Sequence, residues 1–429
     1  MNGKNRRLIS AITYAPRILT AIIGLSVIVA LVSSTPSTHI TIEAGTKGGL
    51  FDVMSHELAQ NLKPHGITVK VVNRPDSLRI VDDIEDPKSP VEAGFIASDT
   101  SAQDFTEIKQ IGTVMLAPVY LLSRKDSGIT EITQFKDKSI SLYPTDSAAW
   151  AACRYILNSY GITPSITTTQ YGNGPTIVKN VVDGISETGC FIDVPSGANL
   201  DYANKIIAAL AHNDLHFIKI PQAEALQARK DFLRPLTIPT GAFNVHPPVP
   251  LEDTDTTGAS ITFVGKNDLP KELVKMISYV LAQQYRGSTS ANQAGELPTT
   301  RNVNLTAFKD SSDIFANGLP WLYDKFSFTT AAFLDKFLGR YGLVLTALFI
   351  FLSTLDLFGM PLPYDLVVGS RPRRMQLIID GIDHRMKHSG KISRRDRRKL
   401  QTIEKWMQKE SRGLDEIETR LNSMQEHLN

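Results

Sequence analysis

The segment Gly45-Thr46-Lys47-Gly48-Gly49 puts three glycines, a hydroxyl and an ammonium between a strand-like run and a helix-like one. Glycines at such a junction let backbone amides approach a ligand, and the N-terminus of a helix offers partial positive charge to an anion. The segment has neither the dinucleotide fingerprint nor the Lys-Ser/Thr ending of a phosphate loop. A tight turn that needs small residues satisfies the same pattern. A second junction of this kind is Tyr143-Pro144-Thr145-Asp146-Ser147. There the Ser147 hydroxyl can cap the following helix or hydrogen-bond a ligand carboxylate, and capping is the commoner use. Ligands of open α/β sheets bind beyond the carboxyl ends of strands, so two such loops, one per lobe, point to a cleft.

Other chemistry is thinly represented. His212 and His216 flank Asp214 in HNDLH, but no Glu follows the first histidine and only two ring nitrogens are offered, so no metal is expected. His56, His65 and His246 have no partner pattern. No G-x-S-x-G elbow and no nucleophile beside a base occur, so neither a catalytic residue nor a cofactor is expected. The two cysteines, Cys153 and Cys190, show no metal-ligand spacing. An oxidising compartment would permit a disulfide. Cys153 reads as a helix position and Cys190 as a strand position, and two separate buried thiols are the expectation.

The elements that must position these loops alternate along residues 38 to 320. HITIEA precedes LFDVMSHELAQNL, ITVKVV precedes SLRIVDDI, and GFIAS follows; later SISLY precedes SAAWAACRYILNSYGI and TGCFIDV precedes NLDYANKIIAAL. Strands alternating with helices argue for parallel sheets covered by helices, and a chain of this length divides them into two lobes. IGTVMLAPVYLLSRK reads as a strand that passes through Pro118 from one lobe into the other. RPLTIPTGAF and ASITFVGK read as further strands, LPKELVKMISYVLAQQ as a helix, and PPVPLEDTDTTG as an exposed loop.

Two apolar stretches bracket this segment, Leu19 to Val32 and Tyr341 to Met360. The second matches the roughly 20 apolar residues a spanning helix requires. The first is shorter and follows Lys4, Arg6, Arg7 and Arg17, so a cleaved signal competes with a retained anchor. Beyond the second stretch the tail from Arg371 holds 15 Lys/Arg against 9 Asp/Glu. Basic residues near span ends stay on the cytoplasmic side. The expected layout is a basic cytoplasmic N-terminus (1–17), a transmembrane helix (18–34), an extracytoplasmic two-lobed domain (35–325), a juxtamembrane helix (326–340), a transmembrane helix (341–360) and a cytoplasmic basic helical hairpin (371–429). This places the chain in the inner (plasma) membrane with both termini cytoplasmic. Such a tail can contact anionic membrane lipid. Its stripe of Ile403, Trp406, Met407, Leu414, Ile417 and Leu421 suits self-association. The overall charge of +2 and 42% hydrophobic content suit a folded protein and not a nucleic-acid-coating one.

Several pieces, in order, resemble the TAXI family, the extracytoplasmic solute-binding proteins of TRAP transporters, related to NMT1-like binding proteins. They are the Gly45–Phe51 loop, the strand ending Phe95-Ile96-Ala97-Ser98-Asp99, the turn Arg124-Lys125-Asp126-Ser127-Gly128-Ile129, the entry Phe135-Lys136-Asp137-Lys138 and the segment Ile238-Pro239-Thr240-Gly241-Ala242-Phe243. The resemblance covers about Ile40 to Gly318. The chain departs from the family where tandem aromatics become Phe51-Asp52, where Gly-Ser-Gly-Thr becomes Asp146-Ser147-Ala148-Ala149, and where Ser-x-x-Asn becomes Arg74-Pro75-Asp76-Ser77.

The resemblance implies a two-lobed α/β clamshell of the type II periplasmic-binding-protein kind, flanked by two transmembrane helices and the helical tail. It implies binding and not catalysis: a small carboxylate solute held between the lobes and presented to separate TRAP-type permease subunits. The site it implies draws polar groups from Thr46, Gly48, Gly49, Ser77, Ser98, Asp99, Thr145 and Ser147. Arg74 is placed to hold a carboxylate, and Phe51, Phe191 and Phe243 form apolar walls. The alternative is a sensing or scaffolding membrane protein with a degenerate cleft, acting through its cytoplasmic tail.

Overall fold

A computed structural model of the chain describes residues 36–357 except 98–104, 165–168, 199, 201–202, 213, 231 and 302–304, together with isolated positions between 379 and 404. The chain divides into two units, Ser34–Lys336, and Met1–Ser33 with Phe337–Asn429.

The first unit is built in chain order from β1 (His39–Glu43), α1 (Leu50–Leu62), β2 (Thr68–Val72), α2 (Ile80–Glu85), β3 (Ala93–Ile96) and the 17-residue β4 (Ile108–Arg124). There follow β5 (Ile140–Leu142), α3 (Ala148–Ser159), β6 (Thr169–Tyr171), α4 (Gly174–Val182), β7 (Thr188–Ile192), α5 (Ala203–Leu210), β8 (Leu215–Phe217) and α6 (Ala223–Arg229). The series continues with β9 (Leu233–Ile238), β10 (Asn244–Val245), β11 (Pro248–Val249), β12 (Thr254–Lys266), α7 (Lys271–Tyr285), α8 (Lys309–Asn317) and α9 (Leu322–Lys325). The last helix, α10 (Phe328–Leu357), begins in this unit and ends in the other.

One mixed sheet runs β2-β1-β3-β12-β4-β7-β5-β6, with β8 on β4 and β9 on β12. β2, β1 and β3 are parallel, as are β7, β5 and β6, whereas β12 and β4 lie antiparallel to their neighbours. The parallel triplets are the cores of two lobes. β4 and β12 cross between them side by side, and the chain enters the second lobe on one and leaves on the other.

The crossing point is Pro118 of β4, paired with Gly258 of β12. Proline gives up a ladder donor there, and a Cβ on Gly258 would lie 2.3 Å from Leu236 Cδ2. The sequence expectation of a strand passing through Pro118 between lobes matches this geometry. Behind the crossing, Ser290 N–H donates to Ser196 O at 2.8 Å. The crossing strands are buried along nearly their whole length, which explains their apolar runs.

Two local expectations change. PPVPLEDTDTTG is not all loop, because β12 begins at Thr254 and pairs Thr254 with Ile238 and Thr256 with Leu236 of β9. Thr254, Thr256 and Thr257 are buried, and their branched side chains suit a strand despite the polar composition. Cys153 and Cys190 are not separate thiols but a disulfide, with Cα atoms 6.0 Å apart. The buried face of α3 lies on β7, and that packing brings a helix position and a strand position within bridging distance.

Among the described residues no helix is long and apolar enough to cross a membrane, so the spans expected at 18–34 and 341–360 are not supported. The first lies outside the described residues. The second falls on the C-terminal part of α10, where many side chains and residues 358–360 also lie outside them. At its other end α10 belongs to the first unit, with Ala331 and Ala332 fully buried and Asp335 paired with Lys275 at 2.5 Å. In the tail, Ile379, Ile382, Leu400 and Ile403 are described as buried helical positions, and the rest of the expected hairpin lies outside the described residues.

Candidate functional site

A cleft of about 360 Å³ opens between the lobes, beyond the carboxyl ends of β1, β5 and β6. Three strand-to-helix loops form its rim: 44–49 before α1, 143–147 before α3 and 172–173 before α4. The volume is near the lower end of the range for small-molecule sites, about 300–1,000 Å³.

The first loop is organised by Asp52, on the first turn of α1. Its carboxylate accepts from Gly48 N–H at 2.7 Å, from Asn73 Nδ2 at 2.7 Å and lies 3.0 Å from His56 Nδ1. An acid in the first turn also offsets the positive end of the helix. Gly49 N–H donates to Thr46 O at 3.0 Å, and the Thr46 hydroxyl to Pro75 O at 2.9 Å. Gly45 and Gly48 have φ values of +65° and +78°, a conformation that favours glycine. The amides expected to meet an anion are therefore spent within the loop, that of Gly48 on Asp52.

The second loop is equally self-contained. Ser147 caps α3: its hydroxyl accepts from Trp150 N–H at 3.1 Å and donates to Pro144 O at 2.8 Å. The Tyr143 hydroxyl donates to Asp193 Oδ2 at 2.9 Å and accepts from Gly174 N–H at 3.1 Å. Asn173 caps α4 by accepting from Thr176 N–H at 3.0 Å.

The two lobes meet across the cleft mouth at Ser77. Its N–H donates to Asp146 O at 3.1 Å, and its hydroxyl accepts from Ala148 N–H at 3.0 Å. Ser77 is thus a bridge between lobes. It sits on the loop after β2, held by Arg74, whose guanidinium lies 2.6 Å from Asp83 and 3.9 Å from Glu43. Glu43 is fully buried, and its carboxyl is raised to about 7 by burial first, then by its hydrogen bond to Asp83 and the charge of that group, against the lowering pull of Arg74 and Arg79.

Of the residues expected at the site, Thr46, Gly48, Gly49, Phe51, Ser77 and Ser147 line the cleft. Arg74 is turned to its acidic partners and Thr145 is exposed beside Asp146; neither lines it. Phe191 is fully buried against Tyr120, and Phe243 stacks on Phe217, so both belong to the core of the second lobe. Ser98 and Asp99 lie outside the described residues. The sequence reading missed Tyr143, Tyr171 and Asn173 as lining residues, along with Ile192 and Ile261. Asn173-Gly174-Pro175 carried a usable signal, a cap residue followed by proline in the first helical turn. Among the described residues no group of three or more His, Cys, Asp or Glu is placed to hold a metal.

Residues 96–305 match the model of the NMT1-like family. The match takes in both strands that cross between the lobes of the mixed α/β sheet. Solved structures give remote likenesses. The Corynebacterium glutamicum OxyR C206 mutant shares 10% identity at a TM-score of 0.38, over 72% of this chain and 80% of that one. The BenM effector binding domain with its effector benzoate gives 12% and 0.35, over 58% and 93%. The substrate binding protein of an amino acid ABC transporter gives 9% and 0.33, over 57% and 92%. No functional statement about this chain rests on likenesses of that depth.

Proposed function

We propose that this chain is a membrane-tethered, extracytoplasmic solute-binding protein that takes a small carboxylate solute between its lobes, in the manner of TAXI-type receptors of TRAP transporters. The observation that carries the reading is the cleft itself, rimmed by loops from both lobes and backed by two crossing strands. A solute touching both lobes favours the closed state by as much as its contacts exceed those in the open one. The NMT1-like match over residues 96–305 supports the same reading. A disulfide between Cys153 and Cys190 agrees with an oxidising compartment for this unit. Tethering at Leu19–Val32 and Tyr341–Met360, with the basic tail on anionic lipid at the cytoplasmic face and separate permease subunits as partners, completes the proposal.

The test is a thermal-shift screen of the full chain in detergent against amino acids, dicarboxylates, keto acids and monocarboxylates, repeated on Ala149→Trp, which fills the cleft. A native-state ligand raises the melting temperature as its concentration exceeds Kd. A saturable rise that Ala149→Trp abolishes supports the proposal. A cooperative melt with no rise across the panel sinks it.

A second reading, a sensor or scaffold with a degenerate cleft, is favoured by one observation. The donors of Gly48, Gly49 and Ser147 are engaged within their own loops, and Ser77 joins the lobes directly. A cytoplasmic partner captured by the tail, with no solute found, would favour it.

A further inference from the structure

We propose that the solute is a monocarboxylate with an apolar body, held at its charged end by Lys47; this rests on the binding reading given above. The argument is a census of what the cleft leaves unspent. Among the described lining residues Lys47 is the single charged side chain, it is exposed on the rim, and no ion pair occupies it among the described residues. The rest of the rim offers an anion neutral donors alone, the Ser77 and Tyr171 hydroxyls and the Asn173 side-chain amide among them. Gly48 N–H is committed to Asp52, Gly49 N–H to Thr46 O, and the hydroxyls of Thr46, Ser147 and Tyr143 to partners within their own lobes.

Acceptors are equally scarce. Asp52 already takes Gly48 N–H and Asn73 Nδ2, and Asp193 takes the Tyr143 hydroxyl and Val194 N–H. Among the described lining residues no carboxylate is present to receive an α-ammonium group, and an ion brought from water without a partner is strongly disfavoured. A second carboxylate would meet no second cation among the described lining residues. Between the rim loops the walls are Phe51, Ala97, Ala149, Ile192 and Ile261, which reward burial of hydrocarbon roughly in proportion to its area. One cation beside apolar walls selects one anion on an apolar body, and disfavours amino acids and dicarboxylates alike.

Calorimetry on the full chain in detergent tests this with 4-methylpentanoate and 3-phenylpropanoate as probes, against 4-methylpentanamide, leucine, glutamate and glutarate. The expected result is saturable binding of both acids, with the amide, leucine and the two diacids at least tenfold weaker. Lys47→Gln is expected to weaken the acids about tenfold and leave the amide unchanged, and Lys47→Arg to retain the acids. Tighter binding of glutamate, glutarate or leucine overturns the proposed class and leaves the binding reading standing. Acid binding that Lys47→Gln does not weaken overturns the role of Lys47. Failure of every probe and of the wider panel, with a cooperative melt, overturns the class and the binding reading together.

Discussion

Ser77 of the first lobe accepts a 3.0 Å hydrogen bond from the backbone amide of Ala148, the first residue of α3 in the second lobe. One serine thereby ties the open end of a clamshell whose other end is fixed by the crossing of β4 and β12. Such a bond contributes about 1 kcal/mol net, a factor of roughly five in an equilibrium constant. Ser77→Ala is expected to shift the lobes towards the open state and weaken solute binding about fivefold. Calorimetry and small-angle scattering read the two effects, and an unchanged affinity with an unchanged radius of gyration would remove Ser77 from the closing contact.

Asp52 holds the first rim loop by two hydrogen bonds from outside its helix, those of Gly48 and Asn73. Asp52→Ala leaves both donors without that acceptor, and the expected loss is about 2–3 kcal/mol of stability. Chemical denaturation measures it. A loss below about 0.5 kcal/mol would mean that water replaces the carboxylate and that the loop keeps its shape without it.

Reduction of Cys153–Cys190 opens a cross-link between positions 37 residues apart. The chain-entropy account assigns such a loop about 3–4 kcal/mol. Addition of reductant, or Cys153→Ala with Cys190→Ala, is expected to lower the free energy of unfolding by that amount, with a matching fall in the denaturation midpoint. Free-thiol titration under non-reducing conditions should find none, and two reactive thiols in protein exported to an oxidising compartment would contradict the pairing.

Glu43 predicts a pH dependence. As an ionised group neither of its oxygens finds a donor; protonated, it donates to Asp83. Its carboxyl is raised from 4.5 to about 7, so between those values the folded chain holds a proton that the unfolded chain has released. Stability contributed this way is fully present below about 4.5 and is lost as pH rises through about 7. The slope in that window is at most about 1.4 kcal/mol per pH unit. Glu43→Gln should flatten this part of the stability–pH curve and gain stability over the native chain above neutrality. A curve identical in shape for both proteins would refute the assignment.

The alternation of strands and helices was legible where a short apolar strand runs into a helix, as β1 does into α1 and β5 into α3, whereas β6 is the polar Thr169-Gln170-Tyr171 and gave no such signal. The crossing at Pro118 was legible for a related reason: a long apolar run broken by one proline has few other uses. The start of β12 was hidden, since Thr254-Asp255-Thr256-Thr257 reads as polar loop until β9 is placed beside it. Phe191 and Phe243 were misplaced as cleft walls because an aromatic residue in a strand or in the loop after one does not show which side it faces; pairing of β7 with β4 buries Phe191 on Tyr120, and packing on Phe217 buries Phe243. The disulfide was obscured in the same way, because helix and strand positions 37 residues apart become neighbours only through packing. Asp52 read only as a departure from the resemblance, whereas its work is to complete a loop.

The side-by-side passage of β4 and β12 makes the second lobe an insertion into the first. Chain enters at Ile108–Pro118 and returns at Gly258–Lys266, and the two passages are hydrogen-bonded to one another. Tension applied between residues 36 and 336 would therefore be shunted across that ladder. The load path runs through the first lobe, and the second lobe hangs beside it on two strands, tied otherwise by the hydrogen bonds of Ser77 and by Ser290 N–H on Ser196 O.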